Sequence, residues 1–308
     1  MASESKSAVL AAMGANAAIA VGKLVGGSLT GSASMFAEAG HSIADTVNQV
    51  FLLAGLNLSA HKPDDEHPHG YGKEQFFWSF LAAIFIFVAG AAFSLYEGTR
   101  TLLHDETHHR ETFEVAVAFG VLGAAFLFES ASMFIAARAV SAGARRKGWS
   151  FIRFLRESPD ATTKTVFFED GAALNGLVFA ALGLGLSEVT GNEAWDGIAS
   201  VAIGVILAVV ALILGMQARR LLLGAAASPE VRAQLAETIA AFPEVERAVR
   251  VLTMQLGAHS ILVTGELQVR RDMNVEAIEA LIVRLDEAVS SRVPEVIDTF
   301  WELKRVKA

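Results

Sequence analysis

Ionisable side chains inside long apolar stretches are the part of this sequence best suited to chemistry. His41 and Asp45 stand four residues apart, so on a helix both side chains lie on one face and can meet a single ion. Glu169 and Asp170 interrupt a second apolar stretch. A charged group at the centre of a bilayer costs about 2.5–3.5 kcal/mol on insertion scales, so each one indicates a function or a partner. One imidazole combined with carboxylates suits Zn²⁺, or a similar ion such as Mn²⁺, Fe²⁺ or Co²⁺.

The alternative is that these groups form buried hydrogen-bonded pairs that hold helices together. Four such groups in two stretches favour the ion site over that alternative. We interpret the neighbouring asparagines as helix-to-helix contacts, and Glu97 and Glu129 as packing or boundary residues rather than proton carriers. Asp196 is expected at a helix end, where a carboxylate interacts favourably with the N-terminal dipole. The asparagines are Asn16, Asn48, Asn57 and Asn175.

Composition indicates which elements must position these residues. Of the 308 residues, 53% are hydrophobic and 19% are charged, whereas soluble chains average about 45–50% and about 25%. A membrane helix needs roughly 20 mainly apolar residues, and six stretches of that length precede residue 224. We predict six transmembrane helices at residues 8–28, 33–58, 76–102, 113–140, 163–187 and 195–218.

Basic residues predict the orientation of these helices. The joint between the fourth and fifth spans is rich in arginine and lysine, and basic residues also follow the second and sixth spans. The positive-inside rule then places both termini in the cytoplasm. The first seven residues lack the features of a cleavable signal peptide.

The sequence changes character after Leu223. Ser228 followed by proline predicts a helix start, and Asn274 predicts the cap of a second helix. Two strand-like stretches lie between these helices and a third follows them. The order α-β-β-α-β predicts a small α+β domain, ferredoxin-like or metallochaperone-like, at 224–308, behind a transmembrane domain at 1–223. A domain of about 80 residues is marginal alone, which favours dimerisation through it.

Composition also excludes several classes of site. The chain has no cysteine, so disulfides and thiolate metal sites are impossible. The net charge of -8 argues against nucleic-acid binding, which needs a basic surface.

These features together resemble the cation diffusion facilitator family, which includes zinc transporters. The similarity covers nearly the whole chain, including the six spans and the α-β-β-α-β tail. The matching segments are 41–45 (HSIAD), 64–74 (DDEHPHGYGKE), Asp170 and 196–200 (DGIAS).

The resemblance implies a divalent metal transporter that exchanges Zn²⁺ for protons by alternating access, with the metal as substrate and no cofactor. It implies export from the cytoplasm by a homodimer, here in the inner membrane of a bacterium. By position, His41, Asp45 and Asp170 resemble the family's transport-site ligands. Transport of Mn²⁺, Fe²⁺ or Co²⁺ is the alternative.

The sequence departs from the family pattern at the fourth ligand. Four residues before Asp170, where the family has His or Asp, this chain has Val166. Glu169 or water can supply the missing ligand. Adjacent helical residues point about 100° apart, so Glu169 and Asp170 cannot both face one ion without distortion.

Histidines elsewhere define weaker candidates. Asp64, His67 and His69 form a possible metal site in the loop after the second span, where Tyr71 replaces the family's second histidine. A solvated polar loop is the alternative. The tail has His259 alone, so we expect no strong metal site there. We interpret the third-to-fourth-span loop, with His104, His108 and His109, as solvated.

Two other functions remain open at this point. The changed ligand pattern is compatible with a metal sensor or partner scaffold that does not transport. An intramembrane hydrolase would need a metal with an open position and an activated water, and no nucleophile motif supports it.

Overall fold

The computed structural model describes residues 2–104, 110–158 and 160–305, apart from the side chains of 2–13, 15, 161 and 162. The chain divides into two compact units. The first comprises Met1–Gly55, Phe77–Arg156 and Ala161–Ala218, and the second comprises Leu56–Phe76, Glu157–Asp160 and Arg219–Ala308.

Helices make up most of residues 2–222. They are α1 (Ala2–Thr30), α2 (Ala33–Ser59), α3 (Glu74–Phe85), α4 (Phe93–Leu103), α5 (Thr112–Arg146), α7 (Ala161–Thr190) and α8 (Ala194–Leu222). A π-helical segment, Ile86–Ala92, joins α3 to α4, and a short helix α6 (Phe151–Glu157) lies between α5 and α7.

Four stretches are long and apolar enough to cross a membrane when the described residues are considered. These are Glu74–Leu103, Thr112–Arg146, Thr163–Thr190 and Ala194–Leu222, which match the third to sixth predicted spans. Helices α1 and α2 have 29 and 27 residues, and their role as spans stays a prediction.

Besides the π-helical segment, two details of the helical part differ from the prediction. The fourth span was expected to end at residue 140, but α5 continues to Arg146 because the basic residues of its last turn suit a helix C-terminus. Helix α6 was not predicted. Its Phe154 is buried against Val140 and Ala144 of α5, so a short apolar patch stabilises it.

Small residues let the helices of the first unit approach closely. A Cβ on Gly183 of α7 would lie 2.4 Å from the Ala199 side chain of α8, and one on Gly98 of α4 would lie 2.7 Å from the Gly197 carbonyl oxygen. Helix α5 packs along both α1 and α7. This is the small-residue packing that membrane helices use where lipid provides no hydrophobic driving force.

The second unit contains a small C-terminal sheet, as predicted. Its elements are α9 (Pro229–Ala240), β1 (Val245–Gly257), β2 (Ser260–Val269), α10 (Val275–Arg292) and β3 (Val296–Leu303). The strand order is β1-β2-β3, with β1 antiparallel and β3 parallel to β2. The parallel pair requires a crossover, which α10 supplies.

Both predicted helix caps of the tail are present. The Ser228 side chain accepts a hydrogen bond from the Val231 N–H, and the Asn274 side chain accepts one from the Ala277 N–H. The core of the tail lies between the two helices and one face of the sheet. Its fully or almost fully buried side chains include Leu235, Ile239, Val263, Leu267, Leu281, Leu285 and Val289.

Candidate metal site among the membrane helices

His41 and Asp45 lie together on α2, as their spacing predicted. Both are buried, and His41 Nε2 is 3.5 Å from Asp45 Oδ2. Neither ring nitrogen of His41 has a hydrogen-bond partner in the described part of the protein, and the same holds for Asp45 Oδ1. Buried polar atoms are normally paired, so this face of α2 suits a ligand that accepts electron pairs.

Glu169 and Asp170 of α7 are also buried, but they point towards different helices. The Asn48 side chain of α2 donates a 2.5 Å hydrogen bond to Glu169 Oε2. The Ser132 hydroxyl of α5 donates a 2.8 Å hydrogen bond to Asp170 Oδ2. The divergence follows from the 100° step between neighbouring helical residues.

Charged groups from four helices surround Asp45. It interacts electrostatically with Glu129 of α5, Lys23 of α1, Asp170 of α7 and Glu38 of α2. Glu129 is only 5% exposed and therefore belongs to this buried cluster, not to a helix boundary.

Lys23 is the member of this cluster that the sequence analysis missed. It is fully buried, and its Nζ donates hydrogen bonds to Glu38 Oε2 at 2.7 Å and to Ser42 Oγ at 2.8 Å. A lysine within the predicted first span, residues 8–28, was the signal that could have revealed it, since such residues face protein or a cavity rather than lipid.

The described residues do not include any group of three His, Asp or Glu side chains placed to hold a metal ion. The predicted ligands therefore face a common buried region without forming a closed coordination shell. The side chains would have to shift before one ion could contact three of them at once.

The possible loop site is only partly assembled in the second unit. Asp64 Oδ1 lies 3.8 Å from His67 Nδ1 and accepts a 2.7 Å hydrogen bond from the His67 backbone N–H. The Tyr71 hydroxyl donates a 2.7 Å hydrogen bond to Asp64 Oδ2. This bond is the main reason that the pKa of Asp64 lies below its usual value, and it raises the pKa of Tyr71 to about 12.

His69 does not face Asp64. It faces the C-terminal sheet. Its Nδ1 lies 3.0 Å from Asp298 Oδ2 on β3, and its ring is perpendicular to the ring of Phe300, with 6.1 Å between the ring centroids. Gly72 approaches the same sheet so closely that an added Cβ would lie 2.5 Å from the Leu256 carbonyl oxygen. The loop is thus docked on the tail through His69 and Gly72.

The remaining histidines of the sequence analysis are His104, His108, His109 and His259. His104 Nδ1 lies 3.1 Å from the Arg100 carbonyl oxygen, and His108 and His109 fall outside the described residues. His259 is exposed at the turn between β1 and β2. Val166 is half-buried on α7, one turn before Asp170.

Asp196 lies in the first turn of α8, as expected for a helix end. Its carboxylate, however, accepts hydrogen bonds from the start of a different helix, α2. It accepts hydrogen bonds from the Ser32 hydroxyl at 2.8 Å, the Ala33 N–H at 2.5 Å and the Ser34 hydroxyl. These donors form the N-terminus of α2, where unpaired backbone N–H groups and the helix dipole favour a negative charge.

Arg110 makes a second set of links near the same helix ends. Its guanidinium donates to the Thr30 carbonyl oxygen of α1 at 2.6 Å and to Ser187 of α7 at 3.0 Å. It also donates to Glu188 at 2.8 Å and to Glu193 at 2.7 Å. The ends of α1 and α7 are therefore joined to the start of α8.

Comparison with protein families identifies the helical part of the chain. A family model described as the cation efflux transmembrane domain matches residues 9–223. The chain belongs to the cation efflux family. The resemblance to cation diffusion facilitators is thereby confirmed. The prediction of a membrane transporter, and not an enzyme, is confirmed as well.

Individual relatives of this cation efflux protein agree with that assignment. A human protein named as a mitochondrial proton-coupled zinc antiporter is 31% identical over 277 residues, which are 88% of this chain and 48% of the relative. Its Xenopus laevis counterpart is 34% identical over 245 residues, 80% of this chain and 43% of the relative. Metal tolerance protein C4 of Arabidopsis thaliana is 37% identical over 192 residues, 62% of this chain and 41% of the relative. The chain spans less than half the length of these relatives.

Within this family a bound metal ion is cargo and not a resident cofactor.

Proposed function

We propose that this protein moves a divalent metal cation across a membrane, with Zn²⁺ as the first candidate, in exchange for protons. The observation that carries the proposal is the set of buried, unpaired polar atoms on His41 and Asp45. Asp45 also interacts electrostatically with Asp170 of α7. Buried groups of this kind are costly unless a ligand satisfies them. The zinc named for the human and Xenopus relatives supports the choice of metal.

His41, Asp45 and Asp170 are the proposed ligands. Each must lose its proton to bind a cation, so protons and metal compete for the same atoms. Glu169 is the proposed fourth ligand, and its Oε2 would have to give up the hydrogen bond that it accepts from Asn48. Rocking of α7 against α2 would bring Asp170 to the ion in one state and withdraw it in the other. Mn²⁺, Fe²⁺ and Co²⁺ remain alternative substrates, since imidazole and carboxylate ligands suit them as well.

The orientation, assembly and location belong to the same proposal. Both termini are cytoplasmic, the protein exports metal as a homodimer, and a bacterial inner membrane holds it. The exposed apolar side chains on one sheet face of the tail support dimerisation, because Leu252 and Phe300 are 50% and 54% exposed there. Asp64, His67 and His69 are proposed as an accessory metal site in the loop. In that site His69 would have to leave Asp298.

Metal flux in proteoliposomes tests the proposal. Purified protein is offered Zn²⁺, Mn²⁺, Fe²⁺ and Co²⁺ in turn, with and without a pH gradient, and accumulation is measured. We expect Zn²⁺ uptake that rises with an outwardly directed proton gradient. His41→Ala and Asp45→Asn should each reduce uptake by roughly 100-fold, because even indirect partners of metal ligands are worth about 10–100-fold.

Glu97→Gln is the matched control, since this carboxylate lies on α4, 3.9 Å from Arg100. Its uptake should equal that of the unmodified protein. Equal uptake by Asp45→Asn would overturn the ligand assignment. Metal binding without any flux, in protein shown to be folded, would replace transport by a sensor or scaffold function.

A further inference from the structure

Lys23 and Glu38 form a buried ion pair beside the proposed ligands. Both side chains are fully buried, and their charged atoms are 2.7 Å apart. The second hydrogen bond of Lys23 goes to Ser42, the residue that follows His41. The pair therefore joins α1 to the turn of α2 that carries His41.

Glu38 of α2 also contacts a third helix, α7. Its Oε1 has no hydrogen-bond partner among the described residues and lies against Gly176 of α7. A Cβ on Gly176 would be 2.1 Å from that oxygen, so only glycine leaves room for the carboxylate. Glu38 thus lies between Lys23 of α1 and the helix that carries Asp170.

We infer that Lys23 and Glu38 act as a matched pair of fixed charges that sets how tightly the site holds its cation. The inference rests on the proposed function and extends it to two residues that need not touch the metal. Lys23 interacts electrostatically with Asp45, and so does Glu38, with opposite sign. In the intact pair the two effects oppose each other. The ion then responds mainly to its own ligands.

Removing one charge should unbalance the site in a direction set by the charge that remains. Glu38→Gln leaves the ammonium of Lys23, which repels an arriving dication. Lys23→Met leaves the carboxylate of Glu38, which attracts it and slows its release. In a buried site such effects are screened less than at a surface, so they act on the ligands more strongly than surface charges would.

A double-mutant cycle tests this arrangement. Zn²⁺ transport by Lys23→Met, Glu38→Gln and the double variant is measured in proteoliposomes, together with Zn²⁺ binding in detergent. Glu38→Gln should raise KM by about 10-fold, in the range found for indirect partners of metal ligands. Lys23→Met should lower KM and also lower kcat, because tighter binding slows release. The double variant should return KM to within about 3-fold of the unmodified protein.

A purely structural role gives a different pattern. Both single variants would then lose thermal stability and activity, with no opposite shifts in KM and no recovery in the double variant. That pattern, or unchanged KM in both single variants, would overturn the inference. The Arg138→Gln variant, on α5, is a control for loss of one charge and should leave KM unchanged.

The result separates the inference from the proposed function. If the unmodified protein transports Zn²⁺ and Asp45→Asn does not, the proposed function stands whatever the pair does. If the unmodified protein neither binds nor transports Zn²⁺, the proposed function fails first, and the inference fails with it.

Discussion

The Asp196 carboxylate accepts a 2.8 Å hydrogen bond from the Ser32 hydroxyl, so a residue of α8 completes the N-terminus of α2. The Ser32 hydroxyl in turn accepts a 3.2 Å hydrogen bond from the Met35 N–H. Ser32 is therefore a cap for α2, and Asp196 holds that cap in place from a neighbouring helix. The helix that presents His41 and Asp45 is anchored at its start by this contact.

Asp196→Asn should destabilise the protein by about 2 kcal/mol, since hydrogen bonds to a charged group contribute about 1.5–3 kcal/mol. The amide removes the charge and turns one acceptor into a donor that faces hydroxyl and backbone N–H groups. Thermal unfolding in detergent measures the loss. Asp286→Asn, in the tail, is not a suitable control because its carboxylate also accepts two hydrogen bonds. Glu97→Gln is the control and should leave the unfolding temperature unchanged. An equal unfolding temperature for Asp196→Asn would contradict the capping role.

Local spacing was enough to predict the pairing of His41 with Asp45 and the divergence of Glu169 from Asp170. Both follow from the geometry of a single helix. The partners of Asp196 could not be predicted, because they depend on how α8 meets a helix far away in the sequence. The π-helical segment Ile86–Ala92 was also missed, since it is an irregularity in backbone hydrogen bonding without a proline to signal it.

Charged residues inside apolar stretches predicted the candidate site only where they stood at a recognisable spacing, as His41 and Asp45 do. Lys23 was overlooked although a buried lysine in a membrane helix needs a partner, and Glu38 is that partner. The helix caps of the tail were easier to predict than the partner of Lys23, because Ser228 and Asn274 cap helices through contacts within three residues. Prediction therefore succeeded where the interacting groups were close in sequence.

The Tyr71–Asp64 hydrogen bond predicts how the loop responds to pH. The pKa of Tyr71 is raised to about 12 because its hydroxyl donates to Asp64. The stabilisation from Tyr71 is thus complete below pH about 10, the usual value for tyrosine, and is lost as pH rises through about 12. The pKa of Asp64 is lowered by the same bond, so its stabilisation is complete above about 3.9 and is lost as pH falls through the lowered value.

A spectroscopic titration can isolate this bond, because the chain has only two tyrosines. In a Tyr96→Phe background, phenolate absorbance reports Tyr71 alone and should show a midpoint near 12. Asp64→Asn should move that midpoint towards the usual value of about 10. A midpoint that Asp64→Asn leaves unchanged would show that the hydrogen bond is absent in solution.

Gly176 offers a test of the close contact between α7 and Glu38. Alanine there would place a Cβ 2.1 Å from Glu38 Oε1, so the carboxylate or the helix must move. We expect a loss of about 1–3 kcal/mol, the usual cost of overpacking. The matched control is Gly123→Ala on α5, where an added Cβ meets nothing within 4 Å. That variant should be neutral or stabilised by up to about 1 kcal/mol, because alanine favours a helix. Thermal unfolding of both variants in detergent makes the comparison, and equal unfolding temperatures would count against the contact.

Neighbouring carboxylates on α7 should contribute unequally to metal binding. Asp170 accepts its 2.8 Å hydrogen bond from the Ser132 hydroxyl, which can rotate and so release that oxygen for a metal ion. Glu169 is instead held by the Asn48 side chain of α2. We therefore expect Asp170→Asn to weaken Zn²⁺ binding by roughly 100-fold and Glu169→Gln by about 10-fold or less.

Isothermal titration of the purified variants with Zn²⁺ distinguishes the two carboxylates. Asn48→Ala adds a second measurement, because it frees Glu169 Oε2 from its hydrogen bond. If Glu169 is the fourth ligand, Asn48→Ala should tighten Zn²⁺ binding and Glu169→Gln should cancel that gain. If water completes the shell, Asn48→Ala should leave the affinity unchanged. A larger loss from Glu169→Gln than from Asp170→Asn would reverse the assignment of the two carboxylates.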